Sequence, residues 1–216
     1  MTRTKVKRIV PKRTRERAFF AAGEVVAGVD EVGRGSWAGP VVAAAVVLEP
    51  QYRIRRAYDS KLMSAVERAS AAERIAQRSR CYGVGVVEVA EINRYGLSWA
   101  VAQSGLRALA QLAIRPTKVL LDGNWNYLRT HYECETIVGG DCYELCIAAA
   151  SIVAKVHRDA LMQELDRRYP GYAFASNKGY GTAAHRKALA EAGVCDVHRT
   201  QWNPVARRLQ ETLPFD

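Results

Sequence analysis

Four carboxylates define the chemistry this chain could perform. Asp30 and Glu31 close the apolar run that begins at Val25, Asp122 closes Lys118-Val119-Leu120-Leu121, and Asp141 follows Gly139-Gly140 after the stretch ETIV. Charged side chains are seldom buried without a partner, so acids at the ends of core strands need a reason. Taken singly, each is also what a solvated turn after a strand would carry. The argument rests on three strand ends finishing in the same way beside glycine. Clustered carboxylates without histidine or cysteine suit hard cations, Mg²⁺ or Mn²⁺. Two such ions about 4 Å apart can activate a water and stabilise the leaving oxygen in phosphodiester cleavage. Without metal, four close carboxylates would repel and raise one another's pKa.

Directly after the first pair comes Gly33-Arg34-Gly35. Glycine lets a backbone approach a ligand closely, and a guanidinium suits phosphate. Acids for metal beside amides and a guanidinium for phosphate describe a site that processes nucleic acid. Other chemistries find less support. The five cysteines (Cys81, Cys134, Cys142, Cys146, Cys195) are an odd set without the spacing of a disulfide framework, as expected in a reducing compartment. Cys142 and Cys146 lie one helical turn apart, but no second pair completes a zinc site. His157, His185 and His198 have no partner visible in the sequence and are read as structural.

The elements that must position these residues follow from periodicity. Residues 25–33 and 41–48 are apolar, β-branched runs joined by a glycine-bearing break, which predicts paired strands. Further strands are predicted at 82–89, 118–121 and 135–138. Helices are predicted at 64–78 with Ser64 as N-cap, at 89–95 and 97–113 around Gly96, at 144–169 before Pro170, at 183–192 and at 203–213. Residues 176–182 (SNKGYGT) read as a glycine-rich loop. Strands that alternate with helices in the second half predict an α/β fold, a mixed sheet flanked by helices. Trp37, Trp99, Trp125 and Tyr127 either pack in the core or flank a substrate groove, and burial is the ordinary fate of large aromatics.

At 216 residues the chain can bury a substantial single core. Its 32 Lys and Arg against 22 Asp and Glu leave a charge of +10, which favours a polyanionic partner. Arg3, Lys5, Lys7, Arg8, Lys12, Arg13, Arg15 and Arg17, against Glu16 alone, predict a mobile basic arm over residues 1–20. The arm either attracts phosphate or only aids solubility. No apolar run reaches the ~20 residues of a membrane span, and the expected location is the cytoplasm.

GVDEVGRG with AGPVVAAAV, DGN after an apolar strand, GD followed by IAAASIVAKVHRD, and NKGYGT together resemble the bacterial ribonuclease HII family. The likeness spans roughly residues 25–204. It implies a ribonuclease H-like fold with a five-stranded mixed sheet, a catalytic domain over 21–195 and a helical extension over 196–216 packed on it. It also implies a metal-dependent endoribonuclease. Such an enzyme cleaves the RNA strand of RNA–DNA hybrids and incises at single ribonucleotides in duplex DNA. It leaves 5′-phosphate and 3′-hydroxyl ends by a two-metal-ion mechanism, as ribonucleotide excision repair requires. Position by position, Asp30, Glu31, Asp122 and Asp141 match the family's acids for Mg²⁺ or Mn²⁺, with Asp30 expected to bridge two ions. Gly33, Arg34 and Gly35 match the segment whose backbone reads the ribose 2′-hydroxyl, and Tyr180 matches the tyrosine that abuts that sugar. Lys61, in the DSK segment, is the candidate phosphate contact. The implied partners are hybrid and ribonucleotide-containing duplexes, with no membrane and a monomeric enzyme.

Neighbouring side chains in a strand point to opposite faces. Asp30 and Glu31 can therefore share a site only if the strand ends or twists between them, or if Glu31 offers its backbone carbonyl. On the long helix, Ser151 and Lys155 share a face that could lie near the site, and Arg158 and Asp159 either join it or serve as solvated or helix-packing residues. One departure from the family pattern stands out. After the GD pair the family often has a basic and then a small residue, whereas this chain has Cys142-Tyr143-Glu144. The change puts an extra acid beside Asp141, which would weaken a phosphate grip or retune metal affinity. Alternatively, Glu144 sits in the first turn of the next helix, where its charge suits the dipole. A resolvase- or transposase-like nuclease would share the acids but needs no 2′-hydroxyl reader. A non-catalytic binding module has no use for four acids that repel phosphate.

Overall fold

The computed structural model describes residues 11–52, 60 and 63–212. Lys61 lies outside the described residues. Five strands, β1 (Val26–Val32), β2 (Val41–Val47), β3 (Cys81–Val87), β4 (Lys118–Asp122) and β5 (Cys134–Ile137), form one sheet in the order β3-β2-β1-β4-β5. The β1–β2 and β2–β3 pairs are antiparallel, and the β1–β4 and β4–β5 pairs are parallel. The helices are α1 (Thr14–Ala21), α2 (Ala65–Arg78), α3 (Val89–Tyr95), α4 (Leu97–Ala110), α5 (Leu145–Arg168), α6 (Phe174–Asn177), α7 (Ala183–Ala192) and α8 (Asn203–Thr212). Ser64 caps α2 in a reciprocal box with Glu67, as its sequence predicts.

The two central strands are buried on both faces, and the period of two sorts their side chains. Val26, Val42, Ala44, Val46 and Leu120 pack with α2 and α5, while Ala27, Val29, Ala43, Ala45 and Leu121 pack on the opposite side with Ala108 and Leu109 of α4. The small face of α5 lets it lie close across β1. A β-carbon on Gly28 would stand 2.2 Å from the carbonyl carbon of Cys146, so only glycine permits this seat. The first turn of α5, and the segment bearing Asp141 just before it, are thereby brought to β1 near Asp30.

The ends of the chain differ from the sequence expectation. Of the mobile arm expected over residues 1–20, residues 1–10 lie outside the described residues, and the second half is corrected: residues 14–21 are the helix α1, with Arg13 at its start and Glu16 within it buried. The arm's lone acid is buried and accepts Cys146 N of α5, and Phe19 and Phe20 pack against the core. At the other end, the boundary drawn at 195/196 cuts through packed structure. His198 bridges Ala38 in β fashion, and His198 and Arg199 are both fully buried.

Candidate active site

Asp30 lies near the C-terminal end of β1 and Asp122 at that of β4. The parallel register pairs Val29 with Leu121, so Asp30 and Asp122 come next, side by side on the α5 face. Asp141 sits in the short 3-10 turn of Gly140–Cys142 and is buried. Asp30 is 8% exposed and its carboxyl is held well above the usual carboxylate range. Burial is the main cause, followed by the charges of Asp122 and Glu31. A hydrogen bond from Ser151 opposes the rise, and Asp141 adds to it. The structure thus brings all four acids within electrostatic reach of one point.

Glu31 reaches that group from the other side. The strand runs unbroken through both acids to Val32, so Asp30 and Glu31 diverge as strand neighbours must. Burial also raises Glu31, with Arg34 opposing and Asp122 reinforcing the shift. Its carboxylate accepts a hydrogen bond from Tyr127 Oη at 3.3 Å and lies 3.9 Å from Arg34 Nη1. Asp122 Oδ1 accepts the Gly140 amide at 2.7 Å, tying the end of β4 to the turn that carries Asp141. Among the described residues, no three His, Cys, Asp or Glu side chains stand ready as ligands around one point. The donor set nevertheless fits a hard divalent cation: it is all carboxylate, and the mutual repulsion acting on Asp30 is what such a cation relieves.

The loop between β1 and β2 holds the glycine-framed arginine. Gly33 has φ +91, and a β-carbon there would fall 2.2 Å from Arg158 Nε. Arg158 fills the space the glycine leaves, fully buried. It donates to Pro40 O at 2.9 Å, Lys178 O at 3.0 Å, Ser36 Oγ at 3.0 Å and Ala38 O at 3.3 Å. Arg199, equally buried, donates to Gly39 O at 2.8 and 3.0 Å and to Arg34 O at 3.1 Å. Burial, together with repulsion from Arg158, lowers the Arg199 pKa to about 9, which leaves it charged at neutral pH. Trp37 N and Ala38 N donate to Gly179 O, so the loop is also tied to the segment before Tyr180. A β-carbon on Gly35 would lie 3.9 Å from Tyr180 Cε1, so the Gly35 backbone and the exposed Tyr180 ring share one surface.

Several residues behave differently from their sequence reading. Arg158 neither faces solvent nor packs as a mere helix residue; it clamps the loop, and Arg199 joins it without having been singled out at all. Asp159 pairs with Lys155 and Arg68. Ser151 hydrogen-bonds Ser60 Oγ at 2.9 Å as well as Asp30, which places Ser60 beside the acids. Trp125, expected in the core, is 38% exposed, with Arg34 5.7 Å above its ring and Tyr127 packed against it. Glu144 does not add its charge to Asp141's surroundings as a loose extra acid. Its carboxylate accepts the amides of Arg15 at 3.0 Å and Glu16 at 3.2 Å. No local sequence signal marks the two arginines, because the loop carbonyls they hold lie more than a hundred residues away along the chain.

Strand order, acids at adjacent strand ends and a long helix across the central strands define a ribonuclease H-like nuclease. The ribonuclease H2 of Pyrococcus horikoshii OT3 superposes with a TM-score of 0.72 at 26% identity, covering 86% of this chain and 97% of that one. Bst-RNase HIII, solved in complex with Mn²⁺, shares the fold at a TM-score of 0.63 and 18% identity, over 87% of this chain and 70% of that one. The family model for ribonuclease HII matches residues 27–205. Ribonuclease HII of Maricaulis maris is 45% identical over 185 residues, 86% of this chain and 84% of the relative. The chain belongs to the ribonuclease HII family, and it is a hydrolase, a ribonuclease H-type endonuclease.

Proposed function

We propose that the chain cleaves the RNA strand of RNA–DNA hybrids and incises at single ribonucleotides embedded in duplex DNA, leaving 5′-phosphate and 3′-hydroxyl ends. The observation that carries this reading is the convergence on buried Asp30 of Asp122 and Asp141 from two other elements, with Glu31 beside it on the same strand. Asp30, Asp122 and Asp141 are the proposed metal-holding carboxylates, with Glu31 completing the set from the strand's other face. Two bound Mg²⁺ or Mn²⁺ ions would supply water activation and stabilisation of the leaving oxygen. Ser151 orients Asp30, the Gly140 amide orients Asp122, and Tyr127 orients Glu31. Gly33, Arg34 and Gly35 present backbone and one exposed guanidinium to the substrate. Tyr180 beside Gly35 recognises the ribose, since the 2′-hydroxyl is the group that separates RNA from DNA. Lys61 is proposed as a phosphate contact on the resemblance alone.

The test is Asp30→Asn, assayed with Mg²⁺ on all-DNA, single-ribonucleotide and hybrid duplexes. The variant should lose incision by at least about a hundredfold, the scale of losing a principal electrostatic stabiliser, while binding the single-ribonucleotide duplex as the parent does. Equal cleavage by variant and parent rejects the assignment. Cleavage of the all-DNA duplex by the parent rejects the ribose reading.

A further inference from the structure

The turn that carries Asp141 is gripped from two sides. On one side, Gly140 N donates to Asp122 Oδ1. On the other, the chain runs through Tyr143 and Glu144 into α5 and meets the start of α1. Helix starts leave amides that need acceptors, and these two helices exchange them. Glu144 is the N-cap of α5 but does not cap its own helix; its carboxylate takes the Arg15 and Glu16 amides in the first turn of α1. Glu16 of α1 returns the favour through Oε1, which accepts Cys146 N in the first turn of α5 at 2.6 Å. Arg13 N donates to Tyr143 O at 3.0 Å, and Arg13 Nε holds Glu16 Oε2 at 2.7 Å. Arg13, Glu16 and Glu144 are all at most 2% exposed.

Buried ionised groups are expensive unless every bond is made. Phe19 and Phe20 already pack α1 against the core, and the reciprocal carboxylates add a fixed geometry between the two helix starts. We infer that Arg13, Glu16 and Glu144 are positioning residues: docking of α1 fixes the 139–146 turn and through it the carboxylate of Asp141. This inference rests on the proposed role of Asp141 in the acid group. It also accounts for Glu144 in the Cys142-Tyr143-Glu144 departure, because Glu144 is the receptor for α1.

The test compares Glu16→Ala and Glu16→Gln in the full chain by amide hydrogen exchange and by steady-state kinetics on a single-ribonucleotide duplex. In Glu16→Ala, exchange at amides 140–148 should quicken about fivefold, the population change typical of a lost helix cap. Amides of β2 and α4 should stay as in the parent. The value of kcat should fall by a similar factor with KM within about twofold, and Gln, which keeps an acceptor for Cys146 N, should restore part of both. Faster exchange confined to α1, or an unchanged kcat beside faster exchange at 140–148, overturns the inference. Should Glu16→Ala not fold, Glu144→Gln loosens the same exchange from the other partner and carries the same expectations and refutations. The exchange readout does not depend on which nucleic acid is cut, so failure of the ribonuclease reading would show separately in the Asp30→Asn assay.

Discussion

Two segments carry the proposed chemistry, and side chains of opposite charge hold them. The 33–40 loop turns its carbonyls inward, and the guanidinium groups of Arg158 and Arg199 meet them. The 139–146 turn and the start of α1 turn their amides inward, and the carboxylates of Glu16 and Glu144 meet those. Backbone polarity decides the sign of the buried charge. A loop with little secondary structure of its own exposes acceptors and recruits arginine; paired helix starts expose donors and recruit glutamate. Both brackets put an ionisable side chain against backbone dipoles, where the bonds are charge-assisted.

The arginine bracket should be the harder one to lose. Replacing Arg158 with Met leaves Pro40 O, Lys178 O and Ser36 Oγ without their donor, and a buried acceptor left alone costs about 1–3 kcal/mol. Because some of these acceptors will find water, the expected loss is about 3–5 kcal/mol by equilibrium urea unfolding. Gly33→Ala attacks the same bracket from the other side and should fall in the same range, since the new methyl meets Arg158 Nε in a backbone conformation that disfavours alanine. If either variant unfolds like the parent, the loop is held by something else and the comparison with the glutamate bracket loses its basis.

Behind the loop, a neutral device stands beside the charged one. His198 Nε2 is 3.1 Å from His185 Nε2, and His185 Nδ1 is 3.0 Å from Tyr180 O. Burial, reinforced by His185, holds the His198 pKa at about 4. Unfolded histidine takes its proton near pH 6.5. The unfolded chain therefore gains protons that the folded chain refuses, and stability falls as pH drops from about 6.5 toward 4, then levels off for this group. The contribution is about 2 kcal/mol after allowing for partial relaxation of the site. Raised carboxylates such as Glu144 push the other way, so the clean measurement is a difference. His198→Gln should flatten the decline between pH 7 and pH 4.5 relative to the parent, and parallel profiles would show that His198 titrates normally.

Much of this frame was legible in the sequence, and what was not has a common cause. Strands ending at Val32, Val47 and Asp122 follow from apolar runs that meet acids or glycine, and Ser64 with Glu67 announces the start of α2. The grouping of Asp30, Asp122 and Asp141 was accessible because all three sit at ends of elements, where a parallel sheet gathers them. The arginine and glutamate brackets were not accessible. Arg199 lies far along the chain from the carbonyls it holds, and the helix-start amide that Glu16 accepts comes after Asp141. Local charge patterns predict a basic arm because the feature that docks residues 14–21, Glu16 facing the start of α5 while Glu144 faces the start of α1, exists only in three dimensions. Trp125 escaped for a simpler reason: an aromatic against a surface guanidinium has the same sequence signature as one in a core.

A milder substitution separates charge from shape in the loop bracket. Arg199→Lys keeps the cation but has no planar fork, so it cannot hold both Gly39 O and Arg34 O from one geometry. The expected cost is about 1 kcal/mol, one net hydrogen bond. Cleavage should suffer more at a single ribonucleotide than on a long hybrid, because a displaced Arg34 carbonyl alters the reader and leaves the acids in place. Equal loss on both substrates would mean that Arg199 supports the fold generally.

The smallest effect on stability should accompany the sharpest effect on recognition. Tyr180 is 41% exposed; its amide donates to Asn177 O, its carbonyl faces His185, and its ring lies 5.9 Å from the Arg158 guanidinium, with no hydrogen bond from the hydroxyl among the described residues. Tyr180→Phe removes one hydroxyl from the surface and should shift unfolding by less than about 0.5 kcal/mol. The same change removes the group proposed to meet the ribose, so the preference for a ribonucleotide over an all-DNA duplex should drop about tenfold, the worth of one discriminating hydrogen bond. A bracket residue gives the opposite ratio, large in stability and secondary in recognition. If Tyr180→Phe destabilises the fold while leaving that preference intact, Tyr180 belongs with Arg158 and Arg199 as part of the support, and ribose recognition must fall to the backbone of Gly33, Arg34 and Gly35.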